Sequence, residues 1–168
     1  MDKNKEKFGS IYDQYIEKIY RFVYLKVNSQ EIAEDISSKV FLRGWESYQK
    51  NSEIKNIGAF LYQIARNSVI DHYREKGRST IVSPDFIPEL ADDRTNLHEK
   101  AILSADIELV KSALNNIKKD YQDVIIWHYL EDMPTDQIAE IMNRPVGTVR
   151  VMIHRGLSAL REKLVGEI

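Results

Sequence analysis

The chain has 168 residues, of which 43% are hydrophobic, and a formal net charge of −2. It contains no cysteine, which excludes disulfides, cysteine-ligated zinc and thiol catalysis and fits a reducing compartment. With 7 glycines and 4 prolines among long stretches of helix-forming residues, the composition predicts an all-α fold of one domain or two small ones. The charged start lacks the apolar core of a secretory signal, and no apolar run approaches the roughly 20 residues of a membrane span. We therefore expect a cytoplasmic protein without direct membrane insertion.

Charge alternates in sign along the chain. Residues 66–80 carry a net charge of +2 and residues 142–168 a net charge of +3, whereas residues 81–100 carry −3. Because phosphate is attracted by the local patch, the near-neutral total does not exclude a nucleic-acid partner.

Apolar residues at helical spacing predict three helices in the first half, over about residues 5–27, 30–48 and 57–76. Ser29 is expected to cap the second helix, and the polar residues 49–56 to form a loop before the third. The three helices could close a bundle in which most aromatic residues are core. Prolines and acidic residues then interrupt the pattern, so we predict a first domain over 1–78, an acidic extended linker over 79–96 and a second helical domain over 97–168.

Within the second domain, residues 135–164 predict a helix-turn-helix. Thr135 is expected to cap the first helix, which should end before Pro145. Gly147 is expected to form the corner and Thr148 to cap the second helix. The second helix is amphipathic, with Val149, Ile153, Leu157, Leu160 and Leu164 on its inner stripe and Thr148, Arg150, Val151, His154, Arg155 and Ser158 on its outer side.

The outer side has the residue types of a DNA-recognition helix. In a helix-turn-helix the second helix enters the major groove, where arginine can donate two hydrogen bonds to guanine or pair with phosphate. An ordinary helical hairpin with a solvated charged face has the same pattern. The spacing of residues alone does not separate the two interpretations.

No catalytic site is visible in the sequence. Phosphate-cradling GxxxxGK, dinucleotide-binding GxGxxG and zinc-binding HExxH motifs are missing, and the histidines at 72, 98, 128 and 154 have no metal-binding spacing. Asp71 and His72 are neighbours on a helix and point about 100° apart, which does not suit an acid/base pair. We expect neither an enzyme nor a bound metal or cofactor.

Two blocks of sequence, taken together, resemble a bacterial RNA polymerase sigma factor of the extracytoplasmic-function (ECF) group, which has only regions 2 and 4. The first block is AEDISSKVFLRGWESY (33–48) followed by IGAFLYQIARNSVIDHYREKGR (57–78), and the second is residues 121–164, with G-T-V-R…R near its end. Each piece is weak alone, but the order and spacing are specific. The resemblance implies an alternative sigma factor that binds core RNA polymerase and directs promoter-specific initiation.

The resemblance also assigns roles to residues. It implies docking on core polymerase by Asp35, Ser38, Lys39, Phe41 and Leu42, with Trp45 anchoring the bundle. It implies recognition and melting of the promoter −10 element and contacts to the upstream duplex by Phe60, Arg66, Asn67, Arg74, Lys76 and Arg78. It implies reading of the −35 element by Thr148, Arg150, Val151, His154 and Arg155.

The chemistry of the −10 residues fits that role, because an extruded base needs an aromatic surface to stack on and an amide to read its edge. The basic residues at the end of the third helix have a plainer explanation, since cations favour a helix C-terminus. The linker acids Asp85, Glu89, Asp92 and Asp93 could occupy a polymerase channel built for nucleic acid.

The chain departs from the family pattern at several positions. Ser38-Lys39 replaces a glutamine and an acid, and docking on core polymerase is therefore expected to differ from that of typical family members. Val151-Met152 replaces a serine and a basic residue, and the −35 sequence that is read is expected to differ as well. Gly156-Leu157 replaces Ala-Arg, and Lys118 stands where proline is common.

Three kinds of partner follow from the resemblance: core RNA polymerase, promoter DNA and an anti-sigma factor that wedges between the two domains. Two other classes of function stay open from the sequence. One is a stand-alone helix-turn-helix regulator that binds duplex DNA without polymerase. The other is a helical adaptor that binds only protein.

Overall fold

The computed structural model describes residues 3–51, 53–78 and 109–166. Every regular element in these ranges is helical, which confirms the predicted all-α fold. The chain divides into two compact units, Met1–Ile87 and Pro88–Ile168. The predicted linker over 79–96, with its four acidic residues, lies outside the described residues, so its extent stays a prediction.

The first unit is a bundle of three helices, α1 (Lys3–Val27), α2 (Gln30–Lys50) and α3 (Ile57–Arg78), each packed against the other two. The predicted helices are confirmed, with ends that differ from the prediction by two residues at most. Ser29 caps α2 as predicted, since its hydroxyl accepts from the Ile32 N–H at 3.3 Å. Asn56 plays the same part for α3, where its Oδ1 accepts from the Ala59 N–H at 3.0 Å.

The core of the bundle contains one buried stripe from each helix. Gly44 of α2 allows a close approach to α3, because a Cβ atom there would lie 2.7 Å from Cδ2 of Leu61. The predicted anchor Trp45 packs on Phe8 of α1, with ring centroids 5.3 Å apart. The fully or almost fully buried residues of the core are Ile19, Phe22, Val23, Ala33, Val40, Leu61, Tyr62, Ala65 and Val69.

Tyr73 fastens the α1–α2 corner to α3. Asn28 turns the chain there in the left-handed conformation, with φ of 54°. The hydroxyl of Tyr73 donates a hydrogen bond to the backbone carbonyl of Lys26, the second-to-last residue of α1. Burial raises the pKa of the Tyr73 phenol above its ordinary value, because the charged form would lose hydration.

The second unit begins, among the described residues, with a helical stretch over 109–115. It continues with α4 (Lys119–Ile125), a π-helical turn (Ile126–Leu130), α5 (Thr135–Met142) and α6 (Val146–Gly166). The π turn closes with a hydrogen bond from the Glu131 N–H to the Ile126 carbonyl at 3.1 Å. It places the Trp127 side chain in the core, fully buried.

The corner between α5 and α6 forms by a different device from the predicted one. Asn143, not Gly147, makes the turn, in the left-handed conformation with φ of 55°. The Arg144 N–H then bonds to the Ala139 carbonyl at 3.1 Å, which closes a Schellman-type helix end. Gly147 has no positive φ and already lies inside α6.

Both predicted caps in this motif are wrong. Pro134 occupies the N-cap position of α5, so Thr135 is the first helical residue and makes no side-chain cap. Thr148 lies in the first turn of α6 because that helix begins at Val146. The predicted end of α5 before Pro145 is confirmed.

Gly156 explains one departure from the family pattern. It is buried against α4, and a Cβ atom there would lie 3.2 Å from Cβ of Tyr121 and 3.3 Å from Cγ1 of Ile125. The glycine therefore lets α6 pack closely on α4. The neighbouring core contains Ala113, Leu114, Ile117, Ile125 and Leu160.

Candidate functional site

The outer side of α6 is polar except at one position, as the sequence pattern predicts. The inner stripe is confirmed, since Val149, Ile153 and Leu160 are buried and Leu157 and Leu164 half-buried. All five side chains that the sequence assigns to base reading are exposed: Thr148, Arg150, Val151, His154 and Arg155. The helix therefore presents these residues together on one solvent-facing surface.

Val151 and Met152 have different environments, although the sequence groups them as one departure. Met152 is only 7% exposed and belongs to the core between α6 and its neighbours. Val151 is 46% exposed. Only the valine can meet a partner, so the altered surface chemistry of this pair is an apolar side chain where a polar one is usual.

An ion pair joins the α5–α6 corner to the start of α4. Nη2 of Arg144 lies 3.6 Å from Oδ2 of Asp120, and both side chains are substantially exposed. This contact directs one of the five basic residues of segment 142–168 toward the protein. Of the other four, Arg150 and Arg155 lie on the outer side of α6, and Arg161 and Lys163 follow further along the helix, all exposed.

A second candidate site is an open pocket in the first unit, about 660 Å³ in volume, between the end of α2 and α3. From α3 it is lined by Phe60, Ile64 and Asn67, which are spaced four and three residues apart and so share one helix face. The structure thus brings together the aromatic ring and the amide that the sequence assigns to base capture. The α2 side of the pocket is lined by Arg43, Glu46, Ser47, Gln49 and Lys50.

Sequence reasoning missed those five α2 residues. It assigned base capture to α3 alone, whereas the last turns of α2 form the opposite wall of the pocket. Arg43, Glu46, Ser47 and Lys50 recur at spacings of three and four, which is the signal that could have found a polar helix face. What that face would meet depends on the packing of α2 on α3, which the spacing does not give.

The basic residues of α3 lie outside this pocket's lining. Arg66 is half-buried on α3, while Arg74 and Lys76 are exposed near the helix end, and Arg78 is the last residue of the helix. Arg74, Lys76 and Arg78 follow the pocket along the same helix, whereas Arg66 lies within its span, next to Asn67. A nucleic acid that entered the pocket could run along this end of α3.

A third surface is the outer side of α2. Asp35, Ser38, Lys39 and Leu42 are all exposed and follow one another at spacings of three, one and three residues, which places them on one stripe. Oδ2 of Asp35 lies 3.3 Å from Nζ of Lys39. Leu42 is 59% exposed, so the stripe joins a charged pair to an apolar side chain.

Phe41 does not belong to this exposed stripe. It is 5% exposed and part of the core, so its ring is not available to a partner. Tyr12 of α1 packs edge-on against it, with centroids 4.9 Å apart, and is itself 43% exposed. Tyr12 is therefore the exposed aromatic side chain at this surface.

Nearer the start of α2, Tyr20 of α1 lies close to Glu34. Burial raises the pKa of the Tyr20 phenol above its ordinary value, and the Glu34 carboxylate raises it further. Tyr20 also stacks on Tyr24, with centroids 6.0 Å apart. Both tyrosines are half-buried on α1.

Within the described ranges, no group of three or more histidine or acidic side chains is placed to hold a metal ion. None of the helices in these ranges is both long enough and apolar enough to cross a bilayer.

Two family models match the chain. The model described as Sigma-70 region 2 matches residues 11–79, which cover most of the first unit. The model described as Sigma-70, region 4 matches residues 107–160, which include α4, the π turn, α5 and most of α6.

The chain is also similar to individual proteins. It is 29% identical to the ECF RNA polymerase sigma factor SigW of Bacillus subtilis, over 96% of this chain and 90% of SigW. It is 25% identical to the ECF sigma factor BldN of Streptomyces coelicolor, over 95% of this chain but 61% of BldN. In fold it resembles the sigma factor RpoE of Bartonella quintana, solved with the anti-sigma factor NepR, with a TM-score of 0.75 at 22% identity over 95% of this chain and 97% of RpoE.

Proposed function

Because this chain belongs to the ECF group of sigma-70 factors and carries regions 2 and 4, we propose that it directs promoter-specific transcription initiation as a subunit of RNA polymerase. The first unit binds core polymerase and opens the −10 element, and the second reads the −35 element. The observation that carries the proposal is the match to both regions, joined to a pocket in region 2 that pairs an aromatic ring with an amide.

The α2 stripe is the docking surface for core polymerase in this proposal. Asp35 can accept charge-assisted hydrogen bonds, Lys39 can donate them, and Leu42 with Tyr12 supplies apolar area beside them. Such a mixture of a central apolar contact and polar neighbours is usual for a specific protein interface. Phe41 supports this surface from beneath by holding Tyr12 in place.

The α2–α3 pocket receives the extruded −10 base. Phe60 offers a surface for stacking and Asn67 an amide for the base edge, while Arg43 and Lys50 on the opposite wall attract the flanking phosphates. Arg66, Arg74, Lys76 and Arg78 on α3 then hold the phosphates of the upstream duplex.

The outer side of α6 reads the −35 element through Thr148, Arg150, Val151, His154 and Arg155. Its exposure along one helix face supports insertion into the major groove. The chain has no catalytic activity of its own in this proposal, and it works in the cytoplasm, where its polymerase is.

Control by an anti-sigma factor is part of the proposal. The solved structure of RpoE contains the anti-sigma factor NepR, and a factor that competes for shared polymerase needs an inhibitor. We place that inhibitor on surfaces that polymerase or DNA would otherwise occupy.

A stand-alone regulator is not favoured. Such a protein needs the helix-turn-helix of the second unit but has no use for an open pocket lined by an aromatic ring and an amide, or for an exposed docking stripe, in the first. A protein adaptor is also disfavoured, because it would leave the exposed arginines of α6 without a role.

The experiment is reconstitution of transcription from purified core polymerase, this chain and a pool of genomic DNA fragments. Discrete start sites that appear only with both proteins, preceded by shared −35 and −10 sequences, are the expected result. A chain that binds duplex DNA without core enzyme and produces no start sites would be a stand-alone regulator.

A further inference from the structure

The first turns of α6 present an outward-facing ridge formed by Gly147 and Val151, two small and uncharged residues. At about 100° per residue, the buried residues Val149, Met152, Ile153 and Gly156 define the inward direction of the helix. Val151 lies about 30° from the opposite, outermost direction, and His154, in the next turn, lies about as far from it on the other side. Within the first two turns of the helix, Val151 is therefore the side chain that advances furthest into a groove.

Gly147 lies one turn before Val151 on the same ridge. A Cβ atom added there would meet nothing within 4 Å, so the position is open to solvent and its glycine is not required by packing. Without a side chain at 147, the ridge narrows toward the start of the helix. Val151 is consequently the first side chain that a base edge would meet on the central line.

The arginines lie on the two flanks of this ridge. Arg150 and Arg155 are each about 65–75° away from the outermost direction, on opposite sides of it. Both are exposed. When the ridge faces the base edges, the two guanidinium groups are directed toward the opposite walls of the groove, where the phosphates are.

An apolar side chain in the major groove has one apolar partner on the base edges, the 5-methyl group of thymine. A valine facing cytosine or adenine would instead cover a polar amino group without bonding to it, which is unfavourable. The 46% exposure of Val151 in the free chain leaves apolar surface that such a contact would bury.

We infer that Val151 selects a thymine in the −35 element through its 5-methyl group, with Arg150 and Arg155 holding the phosphates on either side. This deepens the proposed function and rests on it. It also gives the Val151 departure a physical consequence, since a residue that usually makes polar contacts is replaced by one that recognises a methyl group.

The test uses the whole chain bound to core polymerase. Promoters are first enriched from a random-sequence pool, and each thymine of the enriched −35 element is then replaced, one at a time, by deoxyuridine. This exchange removes a single methyl group and keeps every hydrogen-bonding atom of the base. We expect one position at which affinity falls about fourfold, the effect of burying one methyl group (about 0.8 kcal/mol).

The variant Val151→Ala is then measured on the same pair of promoters. It should bind the thymine promoter more weakly and show almost no difference between thymine and deoxyuridine. Val165→Ala is the matched control, because Val165 is also an exposed valine of α6, at 70%, but lies about 21 Å further along the helix. It should keep the fourfold difference.

Three results would overturn the inference. One is a −35 element in which no thymine methyl affects wild-type binding, and another is a methyl effect that persists undiminished in Val151→Ala. In either case, the core-dependent enrichment of a promoter would still support the proposed function. If no promoter is enriched in a core-dependent way, the inference and the proposed function would both be overturned.

Discussion

On α2, Nζ of Lys39 lies 3.3 Å from Oδ2 of Asp35, one helical turn away, and both side chains are largely exposed. An exposed pair at this spacing stabilises a helix by only about 0.3–0.5 kcal/mol. Its importance is in what a partner meets, which is a carboxylate and an ammonium group side by side. Lys39 partly neutralises the carboxylate that would otherwise dominate this surface.

Asp35→Ala is expected to reduce affinity for core polymerase about tenfold, because one charge-assisted hydrogen bond of about 1.5 kcal/mol is lost. The free energy of unfolding should change by less than about 0.5 kcal/mol, since the residue is exposed. A titration of labelled chain with core enzyme measures the first and urea denaturation the second. Asp71→Ala, an exposed acid on α3, is the control, and equal affinities for both variants would remove Asp35 from the docking surface.

Gly44→Ala should destabilise the first unit by about 1–3 kcal/mol, because the new Cβ would lie 2.7 Å from Cδ2 of Leu61 and the helices would have to separate. Gly9→Ala is the matched control on α1, where nothing lies within 4 Å. It should raise the free energy of unfolding by up to about 1 kcal/mol through helix propensity alone. Urea denaturation of both variants checks this, and a stabilised Gly44→Ala would contradict the close packing of α2 on α3.

Tyr73→Phe should cost about 1 kcal/mol at neutral pH, since the hydrogen bond to the Lys26 carbonyl is lost. The raised pKa of Tyr73 adds a pH effect. The folded state favours the neutral phenol, so this stability is fully present below the ordinary pKa of 10.0 and is lost as the pH rises above it.

The free energy of unfolding, measured across this alkaline range, should therefore fall less steeply with pH for Tyr73→Phe than for the wild type. Some slope should remain because Tyr20 also has a raised pKa. Tyr129→Phe, at an exposed tyrosine of the π turn, is the matched control for the loss of a phenol group. Identical slopes for wild type and Tyr73→Phe would show that the Tyr73 phenol titrates as it does in the unfolded chain.

Asn67→Ala should slow promoter opening by about tenfold while leaving core binding unchanged, because the amide is needed only when a base enters the α2–α3 pocket. Permanganate reactivity of −10 thymines follows the opening. A template with the −10 bases already unpaired should recover only part of the loss, since capture still lacks the amide. Asn115→Ala, at an exposed asparagine of the second unit, is the control, and normal opening by Asn67→Ala would exclude the amide from base capture.

Arg155→Ala should weaken binding to −35 DNA without altering affinity for core enzyme. If the residue contacts phosphate, the slope of log affinity against log salt concentration should decrease in magnitude by about 1. Footprinting at several salt concentrations measures both. Arg161→Ala, further along α6, should change neither, and an unaffected Arg155→Ala footprint would place this residue outside the DNA contact.

The helices of both units could be predicted from the sequence because periodicity reports which side of a helix is buried. Ser29 was identified as a cap for a similarly local reason, since capping depends on a residue and the amide three positions on. The resemblance that led to the family depended on the same local blocks. These are the parts of the fold that neighbouring residues determine.

The helix-turn-helix corner was predicted with the wrong residues because several residues nearby could each make a turn. Asn143 and Gly147 are both suited to left-handed backbone, and only the bond from Arg144 to Ala139 decides between them. The polar wall of the α2–α3 pocket and the burial of Phe41 beneath Tyr12 were missed for another reason. They depend on which faces of two helices meet, and one helix's spacing does not contain that information.

The most direct measurement of the central claim is co-purification of this chain with bacterial core RNA polymerase, followed by promoter binding with and without core enzyme. We predict a stable complex with core and sequence-specific promoter binding that appears only in its presence. Tight, specific duplex binding by the free chain, together with no retention on core polymerase, would contradict the assignment as a sigma subunit.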